Sequence, residues 1–417
     1  MRFITCSNST PAWENGRLVP RSPGGLVPML IALLEEHGGH WLFTAPPGLE
    51  PSESVRLDGG KWLYPIELTE TLRHQHYDVI SIELFLGMLH YLHDTSVQPL
   101  FDDEVRSAWQ GYESVNRTYA ERLAGVAENT EDEWILVNDP HLMLVPEYFT
   151  GKIGTRRSRL TYFLGTPWCE PDYFMILPGW LRVRILESLL RCDVVGFHSS
   201  RWADAFLACC ARFLPGVRVE NRLVTYRGRV THVMAMPFPV DVDVLERMRT
   251  EPATVRWQER LAGVVQGRRA IVRADRIDLW KNLPRGFAAY EMMLRRRPEL
   301  ARECWFGAVV TPPSRANKRH REHQELVESL VSRINERFAA PGQEAVSLIY
   351  PPRGIESRNC VVAALDMSRA AIVNSTYDGL NLFAKEAAVL MGDDASLLLS
   401  VNAGVHEQLG PYAIDID

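Results

Sequence analysis

The chain has 417 residues, of which 46% are hydrophobic and 24% are charged, and its formal net charge at pH 7 is -6. This composition is typical of a globular protein with buried cores, and the length suits one large domain or two of average size. The acidic balance disfavours a protein that coats nucleic-acid duplexes, because such proteins usually present a basic surface. It leaves room for a site that binds one nucleotide.

The cysteines and the N-terminal segment narrow the class of protein further. The seven cysteines are odd in number and include no CxxC pair, which disfavours a disulfide framework and a zinc site. The N-terminal segment shows no signal-peptide pattern, and no stretch approaches the roughly 18 uninterrupted apolar residues of a membrane-spanning helix. We therefore predict a cytoplasmic protein that binds neither nucleic acid nor a membrane, and we leave homo-oligomerisation open.

Short apolar runs alternate with helix-length amphipathic segments, a pattern that predicts parallel sheets covered by helices. In the first half the predicted strands are Arg2–Cys6, Trp134–Asn138, Leu160–Leu164, Asp193–His198 and Thr231–Met236. The predicted helices there are Gly25–His37, Ser114–Glu128, Leu181–Arg191 and Arg201–Phe213. His198, beside an apolar run, is interpreted as a packed or hydrogen-bonded histidine rather than as a base.

The segment Pro237–Val244 (PFPVDVDV) interrupts this alternation with two prolines and predicts a linker between domains at residues 1–238 and 239–417. The alternation then resumes with predicted strands at Ala270–Ala274, Trp305–Val310, Val346–Tyr350, Ala370–Asn374 and Ser396–Val401. The predicted helices are Arg285–Arg296, His320–Phe338, Arg358–Met367 and Leu382–Leu390. Two such α/β halves predict a nucleotide or sugar site in the cleft between them, at the C-terminal ends of the strands.

Three familiar signatures are missing from the sequence: GxxxxGK[ST], GxGxxG after the first strand, and HExxH. ATPase, nicotinamide-dependent oxidoreductase and zinc hydrolase functions therefore lose their usual support. The triplet Asp241-Val242-Asp243 has the form of the DxD motif with which some glycosyltransferases hold a metal. Because the triplet is short, common by chance and part of the predicted linker, we expect no metal there.

The segment Arg273–Asn282 (RADRIDLWKN) places Arg276 and Lys281 in a loop between a buried strand and a helix. Two cations at the C-terminal end of a strand suit a leaving diphosphate, whose negative charge grows as the glycosidic bond breaks. With such a pair a divalent metal becomes unnecessary. Two surface cations near a helix N-terminus are also common, so the pair alone does not decide the function.

The segment Asn374–Glu386 (NSTYDGLNLFAKE) again reads as strand, loop and helix. Gly379 allows close approach of the backbone, and the helix N-terminus offers an anion site built from backbone amides. These amides are those of Leu380, Asn381 and Leu382. Asp378 is suited to sugar hydroxyls and Glu386 to the two ribose hydroxyls. The alternative is a turn with a capping aspartate.

One basic run stands out, Arg315–Arg321 (RANKRHR). It reads as the solvated start of a helix, and a phosphate contact from Arg315 is the alternative.

These segments and several others, in order along the chain, resemble the trehalose-6-phosphate synthase family of retaining glycosyltransferases, which have the GT-B fold. The matching motifs are SNS at Ser7–Ser9, PGGL at Pro23–Leu26, NDPHLMLVP at Asn138–Pro146, TPWCEPDYFMILP at Thr166–Pro178, RADRIDLWKN and YDGLNLFAKE. The likeness covers nearly the whole chain, is closest to actinobacterial members and extends to the pseudo-glycosyltransferase of validamycin biosynthesis. It implies an α/β protein with two Rossmann-like domains, the first on the acceptor side and the second binding the nucleotide sugar.

The resemblance also implies a role for individual residues. Arg276 and Lys281 would bind the donor diphosphate. The other donor-side positions are Gly25, Val361, Asp378, Gly379, Leu380, Asn381, Leu382 and, for the ribose, Glu386. The acceptor-side positions are Ser9, Trp41, Ile82, Arg315 and Asp139, of which Asp139 also counts as catalytic. The implied mechanism is front-face substitution with retention, in which the leaving phosphate oxygen takes the acceptor's proton and no metal or cofactor takes part.

The chain departs from the family's pattern at three positions. The family usually carries SNR near its start, and its arginine binds the acceptor's phosphate, whereas this chain has Ser9. A serine does not replace a bidentate guanidinium. A tyrosine that helps bind this phosphate is replaced by Ile82 in our register. A histidine that contacts the donor sugar near its sixth carbon is replaced by Gly165.

The sequence therefore predicts a glycosyltransferase that moves a hexose or hexose-like unit from a nucleotide sugar to a sugar or cyclitol acceptor, with substrates altered towards specialised metabolism such as antibiotic biosynthesis. A pseudo-glycosyltransferase that forms a C–N bond with a cyclitol is the alternative within this class. A non-catalytic homologue that binds nucleotide sugars is the alternative from another class.

Overall fold

The computed structural model describes residues 2–19, 25–49, 52–312 and 318–416. The described residues divide into two compact units, and the chain passes from the first to the second between Pro237 and Phe238. In the described part of the chain no helix is both long enough and apolar enough to cross a bilayer. All seven cysteines are buried free thiols.

In the first unit, the described residues form a ten-stranded sheet and a two-stranded ribbon of β2 and β3. The strands are β1 (Arg2–Ser7), β2 (Ala12–Glu14), β3 (Arg17–Val19), β4 (Gly39–Thr44), β5 (Val55–Leu57), β6 (Lys61–Ile66), β7 (Glu133–Asn138), β8 (Arg159–Leu164), β9 (Val194–Phe197), β10 (Arg218–Glu220), β11 (Leu223–Tyr226) and β12 (Arg229–Ala235). The sheet order is β10-β11-β12-β9-β8-β7-β1-β4-β6-β5. The seven strands from β12 to β6 in this order run parallel.

The helices of the first unit cover this sheet. The α-helices are Leu26–His37, Glu70–Arg73, Gly87–Leu89, Asp103–Val126, Val145–Ile153, Pro171–Phe174, Gly179–Leu189 and Ser200–Phe213. A π-helix covers His74–Leu86, and a short 3-10 helix covers Pro140–Leu142. Helix Leu26–His37 buries Leu30, Ile31 and Leu34 against a core of the first unit, a spacing that gives one apolar face.

In the second unit, the described strands form one parallel sheet in the order β15-β14-β13-β16-β17-β18. The strands are β13 (Arg269–Arg276), β14 (Cys304–Thr311), β15 (Val346–Ile349), β16 (Ser368–Val373), β17 (Ser396–Ser400) and β18 (Ile414–Ile416). The α-helices are Val242–Arg249, Pro252–Val265, Leu283–Arg296, Leu300–Glu303, Lys318–Phe338, Ile355–Asp366, Leu382–Leu390 and His406–Leu409. Two 3-10 helices cover Leu279–Lys281 and Gly410–Tyr412.

Every predicted strand is present, with ends shifted by at most two residues. Two predictions need correction. The helix predicted to begin at Ser114 begins at Asp103, because the Asp102 side chain accepts a hydrogen bond from Val105 N at 3.0 Å and caps its first turn. The predicted linker ends early, because Asp241 caps helix Val242–Arg249 by accepting from Val244 N at 2.9 Å.

Candidate functional site

The C-terminal ends of three neighbouring parallel strands carry the first group of site residues. Asp139 follows β7, Gly165 follows β8 and His198 follows β9. A Cβ atom placed on Gly165 would lie 3.5 Å from Asp139 Oδ1 and 3.7 Å from His198 Nε2, which are ordinary contact distances. Position 165 therefore has room for a Cβ atom. His198 packs edge-on against Phe163, as expected of a packed histidine, but it also lies beside the predicted reaction centre.

The backbone of Asp139 adopts φ 67° and ψ 161°, a region that is almost reserved for glycine. Two hydrogen bonds hold it there. Asp139 N donates to Phe163 O at 3.0 Å, and Asp139 O accepts from the Tyr162 hydroxyl at 2.7 Å. A non-glycine residue in this region costs about 1–3 kcal/mol, and such residues cluster at ligand sites. The strain therefore marks Asp139 as a functional candidate independently of any motif.

Ser9 lies in a loop after β1 whose shape is fixed by hydrogen bonds. The Ser7 hydroxyl donates to Ser9 O at 2.9 Å, and the Thr10 hydroxyl donates to Thr44 O, at the end of β4, at 2.8 Å. Ser9 itself is half-buried. The loop therefore presents position 9 at a defined place on the C-terminal edge of the sheet.

Arg73 is a cation near this loop that the sequence analysis missed. Its Nη2 donates to Ala45 O at 2.8 Å, and its side chain is only 13% exposed. Because Ala45 directly follows Thr44, Arg73 lies at the strand end to which the loop around Ser9 is bonded. No motif marks it, because it ends a short helix that leads into the π-helix.

The prediction that Trp41 binds the acceptor is wrong in this structure. Its side chain is completely buried in the core of the first unit. The indole Nε1 donates to the Ser7 hydroxyl at 3.0 Å. A ring without exposed surface cannot contact a ligand. Trp41 instead supports the loop around Ser9 through its hydrogen bond to Ser7.

Ile82 lies on the π-helix, where residues five apart are about one turn apart on the same face. One turn before it, Tyr77 stacks on His141, with 5.3 Å between the ring centroids and 16° between the rings. His141 comes two residues after Asp139. A half-buried tyrosine therefore lies close to the acceptor-side residues even though position 82 holds an isoleucine.

Gly25 directly precedes helix Leu26–His37 with φ 89°. A Cβ placed there would meet no atom within 4 Å, so the backbone conformation rather than crowding favours glycine. Arg315, the remaining predicted acceptor-side residue, lies outside the described residues.

In the second unit, the buried Arg273 guanidinium joins the loops that follow β13 and β16. Its Nη2 donates to Asp275 Oδ2 at 2.7 Å and to Lys281 O at 2.8 Å. Its Nη1 donates to Asn374 Oδ1 at 2.9 Å. Asn374 also exchanges two hydrogen bonds with Asn282, at 2.9 and 3.0 Å. The segments RADRIDLWKN and NSTYDGLNLFAKE are therefore held together.

Lys281 and Asp378, predicted on separate segments, form an ion pair with 2.5 Å between Nζ and Oδ2. Asp275 Oδ1 lies 3.8 Å from the same Nζ. Burial acts against the charge of Lys281, but these two carboxylates outweigh it and raise the pKa of the ammonium above its usual value. Lys281 is therefore a charged group held in a largely buried place.

Arg276 is differently placed. Its side chain is 63% exposed, and its Nη2 lies 2.7 Å from Asp278 Oδ2. Asp278 also contributes to the electrostatic field at Lys281. The two predicted diphosphate ligands therefore lie close to a shared carboxylate, and Arg276 is the more accessible of the two.

The loop from Asp378 to Leu382 is fixed at both ends. Asp378 N donates to Asn402 O at 3.1 Å, and Val405 N donates to Leu380 O at 2.9 Å. Asn381, with φ 81°, caps helix Leu382–Leu390, and its Nδ2 donates to Asp378 Oδ2 at 3.0 Å. The capping residue is therefore an asparagine, not the aspartate of the alternative interpretation.

The amides predicted to bind an anion remain available at this helix N-terminus. Those of Leu380, Asn381 and Leu382 donate no hydrogen bond within the described residues. Gly379 is buried in the same loop. These amides and the helix dipole favour a negative or electron-rich group here.

Glu386 is half-buried on helix Leu382–Leu390. Burial raises the pKa of its carboxyl to about 7, and Arg358 on the neighbouring helix acts in the opposite direction. Sequence analysis did not single out Arg358. Val361 lies one turn further along that helix and is only 8% exposed, so little of its side chain is available to a ligand.

Among the described residues, no group of three or more His, Cys, Asp or Glu side chains is arranged to hold a metal ion. In the DxD-like triplet, Asp241 serves as a helix cap. Metal independence stays a prediction.

Comparison with known proteins identifies related sequences and structures. A model of the family described as glycosyltransferase family 20 matches residues 8–417. The α,α-trehalose-phosphate synthase (UDP-forming) of Botryotinia fuckeliana is 30% identical, covering 92% of this chain and 73% of that protein. A solved synthase of the same name from Burkholderia vietnamiensis has a TM-score of 0.87 and 26% identity, covering 100% of this chain and 86% of that one.

An E. coli structure described as trehalose-6-phosphate bound with UDP-2-fluoro glucose has a TM-score of 0.86, covering 100% of this chain and 88% of that one. At 23% identity it supports the fold alone. With these neighbours, the predicted α/β class and GT-B fold are confirmed.

We expect Asp139→Gly to raise the free energy of unfolding by about 1 kcal/mol, because glycine adopts this backbone conformation without steric strain. Asp139→Ala is the control, since it removes the carboxylate and keeps the strained Cβ. Urea denaturation of both variants measures the difference. At an ordinary position alanine is the more stable of the two, so a glycine variant less stable than the alanine variant would contradict the assigned strain.

Proposed function

Because the chain belongs to glycosyltransferase family 20, and is therefore a glycosyltransferase, we propose that it moves a hexose or hexose-like unit from a UDP sugar to a sugar or cyclitol acceptor. We further propose that transfer retains the anomeric configuration and needs no metal. The observation that carries the proposal is the buried Lys281–Asp378 pair on two fixed loops. The choice of UDP rests on the names of the relatives, which are called UDP-forming.

In this proposal Lys281 and Arg276 bind the donor diphosphate, and Asp378 accepts hydrogen bonds from the transferred sugar. Charge develops on the leaving diphosphate as the glycosidic bond breaks. A cation already desolvated and fixed in position stabilises that charge without reorganising. The leaving phosphate oxygen takes the acceptor's proton, so no separate base is needed. The exposed Arg276 adds a second positive charge that a ligand can reach.

The acceptor side supports altered substrates. Ser9 supplies no cation where the family usually has arginine, and Gly165 leaves room beside Asp139 and His198. We propose that this room accepts a substituent or a differently shaped ring at the outer carbon of the donor sugar. A cyclitol acceptor, including one joined through a C–N bond, belongs to the same proposal.

A phosphorylated acceptor is the second candidate, and Arg73 favours it. This cation is largely buried beside the loop that holds Ser9, and one of its guanidinium nitrogens is used by Ala45 O. A guanidinium in that place offers further donors to a phosphate. Trehalose-phosphate synthesis, the activity in the relatives' names, would then rest on Arg73 instead of an arginine at position 9.

A non-catalytic homologue is the alternative from another class. The buried Lys281–Asp378 pair does not separate the two functions, because a protein that only binds a nucleotide sugar also needs a cation for its diphosphate. Both functions require nucleotide binding, so turnover separates them.

We expect Lys281→Met to lower turnover with a UDP sugar by about 10³-fold, because it removes the charge that stabilises the leaving group and keeps the side chain's length. Arg285→Gln is the matched control, since this exposed arginine lies four residues further along, and its turnover should stay within twofold of wild type. Circular dichroism establishes that both variants fold. Unchanged turnover in Lys281→Met would remove it from the mechanism.

Thermal-shift measurements with UDP, GDP and ADP test nucleotide binding itself. We expect UDP to raise the unfolding temperature most, since a ligand stabilises the state that binds it. Stabilisation by none of the three would contradict both the transferase and the non-catalytic proposal.

We expect the affinity for UDP-glucose to be about tenfold lower at pH 6 than at pH 8, because only ionised Glu386 accepts two ribose hydroxyls and its pKa is about 7. The sign follows from the raised pKa, since below pH 7 the carboxyl holds a proton and loses acceptor capacity. Isothermal titration calorimetry measures the profile. Glu386→Gln should bind weakly with a flat profile, and a variant as pH-dependent as wild type would assign the titration to another group.

Acceptor assays with glucose, a cyclitol and glucose 6-phosphate distinguish the two acceptor candidates. If the acceptor is phosphorylated, Arg73→Gln should raise the KM for glucose 6-phosphate by at least tenfold, since a charge-assisted hydrogen bond is lost. Ser9→Arg should then change little. If the acceptor carries no phosphate, glucose 6-phosphate should be a poor substrate and Ser9→Arg should improve its use.

A further inference from the structure

A cavity of about 490 Å³ opens on the first unit, lined by helices Asp103–Val126 and Val145–Ile153, by Arg191 shortly before β9 and by Arg229 at the start of β12. Four cationic and two carboxylate side chains line it, with Tyr148 as an aromatic wall. The cations are Arg117, Lys152, Arg191 and Arg229. No role in the proposed transfer uses any of them.

This cavity lies at the opposite edge of the sheet from the candidate site. Arg191 comes three residues before β9, and Arg229 is the first residue of β12, so both lie where these parallel strands begin. Asp139 and Gly165 lie where β7 and β8 end. A strand of six residues separates the two edges by roughly 20 Å. The cavity is therefore a separate feature of the first unit.

The carboxylates in and near the cavity have cationic partners, whereas three of its arginines form no salt bridge with a described residue. Glu147 is engaged by Arg184 at 3.3 Å, and Glu121 by Lys152 at 3.4 Å. The positive charge of Arg229 helps to lower the pKa of the Asp193 carboxyl, but this carboxylate is held by two nitrogens of Arg156, at 2.6 and 2.7 Å.

Both carboxylates of the cavity thus have cationic partners. The three arginines Arg117, Arg191 and Arg229 form no salt bridge with a described residue. The guanidinium of Arg117 lies 4.5 Å from the centroid of the Tyr148 ring, which fixes it over a flat aromatic face. Three guanidinium groups therefore line one cavity without a salt bridge to a described residue.

We propose that this cavity binds a small phosphorylated metabolite. Guanidinium groups bind phosphate oxygens through paired hydrogen bonds, and the volume lies within the range of sites for small molecules, about 300–1,000 Å³. Helix Val145–Ile153 ends at the cavity, and its carbonyl end repels an anion, so the arginines provide the attraction.

Equilibrium dialysis with labelled glucose 6-phosphate and labelled inorganic phosphate tests this proposal, with UDP present to occupy the donor site. We expect the double variant Arg191→Gln/Arg229→Gln to lose one class of sites, with affinity for glucose 6-phosphate reduced at least tenfold. Arg106→Gln is the matched control, since this exposed arginine lies on the same helix as Arg117, three turns away. It should bind as wild type does.

Two outcomes would overturn the proposal. Equal binding by the double variant and the control would show that the cavity holds no phosphate. If the double variant loses inorganic phosphate as strongly as it loses glucose 6-phosphate, the cavity is reduced to a simple anion site. Neither measurement depends on turnover, so the result is independent of the proposed transferase activity. Unchanged unfolding temperatures establish that both variants fold.

Discussion

The buried guanidinium of Arg273 is the interaction on which the candidate donor site depends. A cation in the protein interior is tolerated only when its charge and its hydrogen-bond donors are satisfied. Here Asp275, near the end of β13, Asn374 and the carbonyl of Lys281 provide those partners, and the last two belong to the segments that follow β16 and β13. The network therefore fixes the loops relative to one another in the absence of a ligand. Lys281 and Asp378, which form an ion pair, lie in the same two segments.

The first unit handles its strand ends differently. There the central residue, Asp139, is held in a strained backbone conformation by Tyr162 and Phe163. Beside it, the glycine at position 165 leaves room that a side chain would fill. The strained backbone and the open space in the first unit select a ligand by its shape. The ion network of the second unit, in contrast, suits the charge of a diphosphate. This difference between the units agrees with the diphosphate contacts proposed for the second unit and the altered substrates proposed for the first.

Much of the fold was predictable because its parallel strands are short apolar runs between amphipathic helices. The strands β4 and β6 were missed because polar or proline residues interrupt their apolar pattern, as with Lys61 and Pro65. The π-helix His74–Leu86 was missed because a helix of this type does not follow the 3.6-residue period used to find helices.

The candidate site was predictable where motifs lie on strand-to-helix loops. It was less predictable where the role of a residue depends on whether its side chain is buried. Trp41 was assigned to the acceptor side, yet its ring is part of the core, and nothing in the local sequence distinguishes those outcomes. Arg73 and Arg358 act through neighbours that are distant in sequence. Arg273 belongs to a quoted motif, but only the meeting of three chain segments shows that it is buried.

The close contact between Lys281 and Asp378 has a consequence for the end of the catalytic cycle. Under the proposed mechanism the bound donor competes with this ion pair, because its diphosphate attracts the ammonium while its sugar hydroxyls bind the carboxylate. Once the sugar has left, the carboxylate is again free to compete for the ammonium. Asp378 then competes with the nucleotide product for Lys281. The protein therefore promotes release of the nucleotide, after which the site can bind another donor.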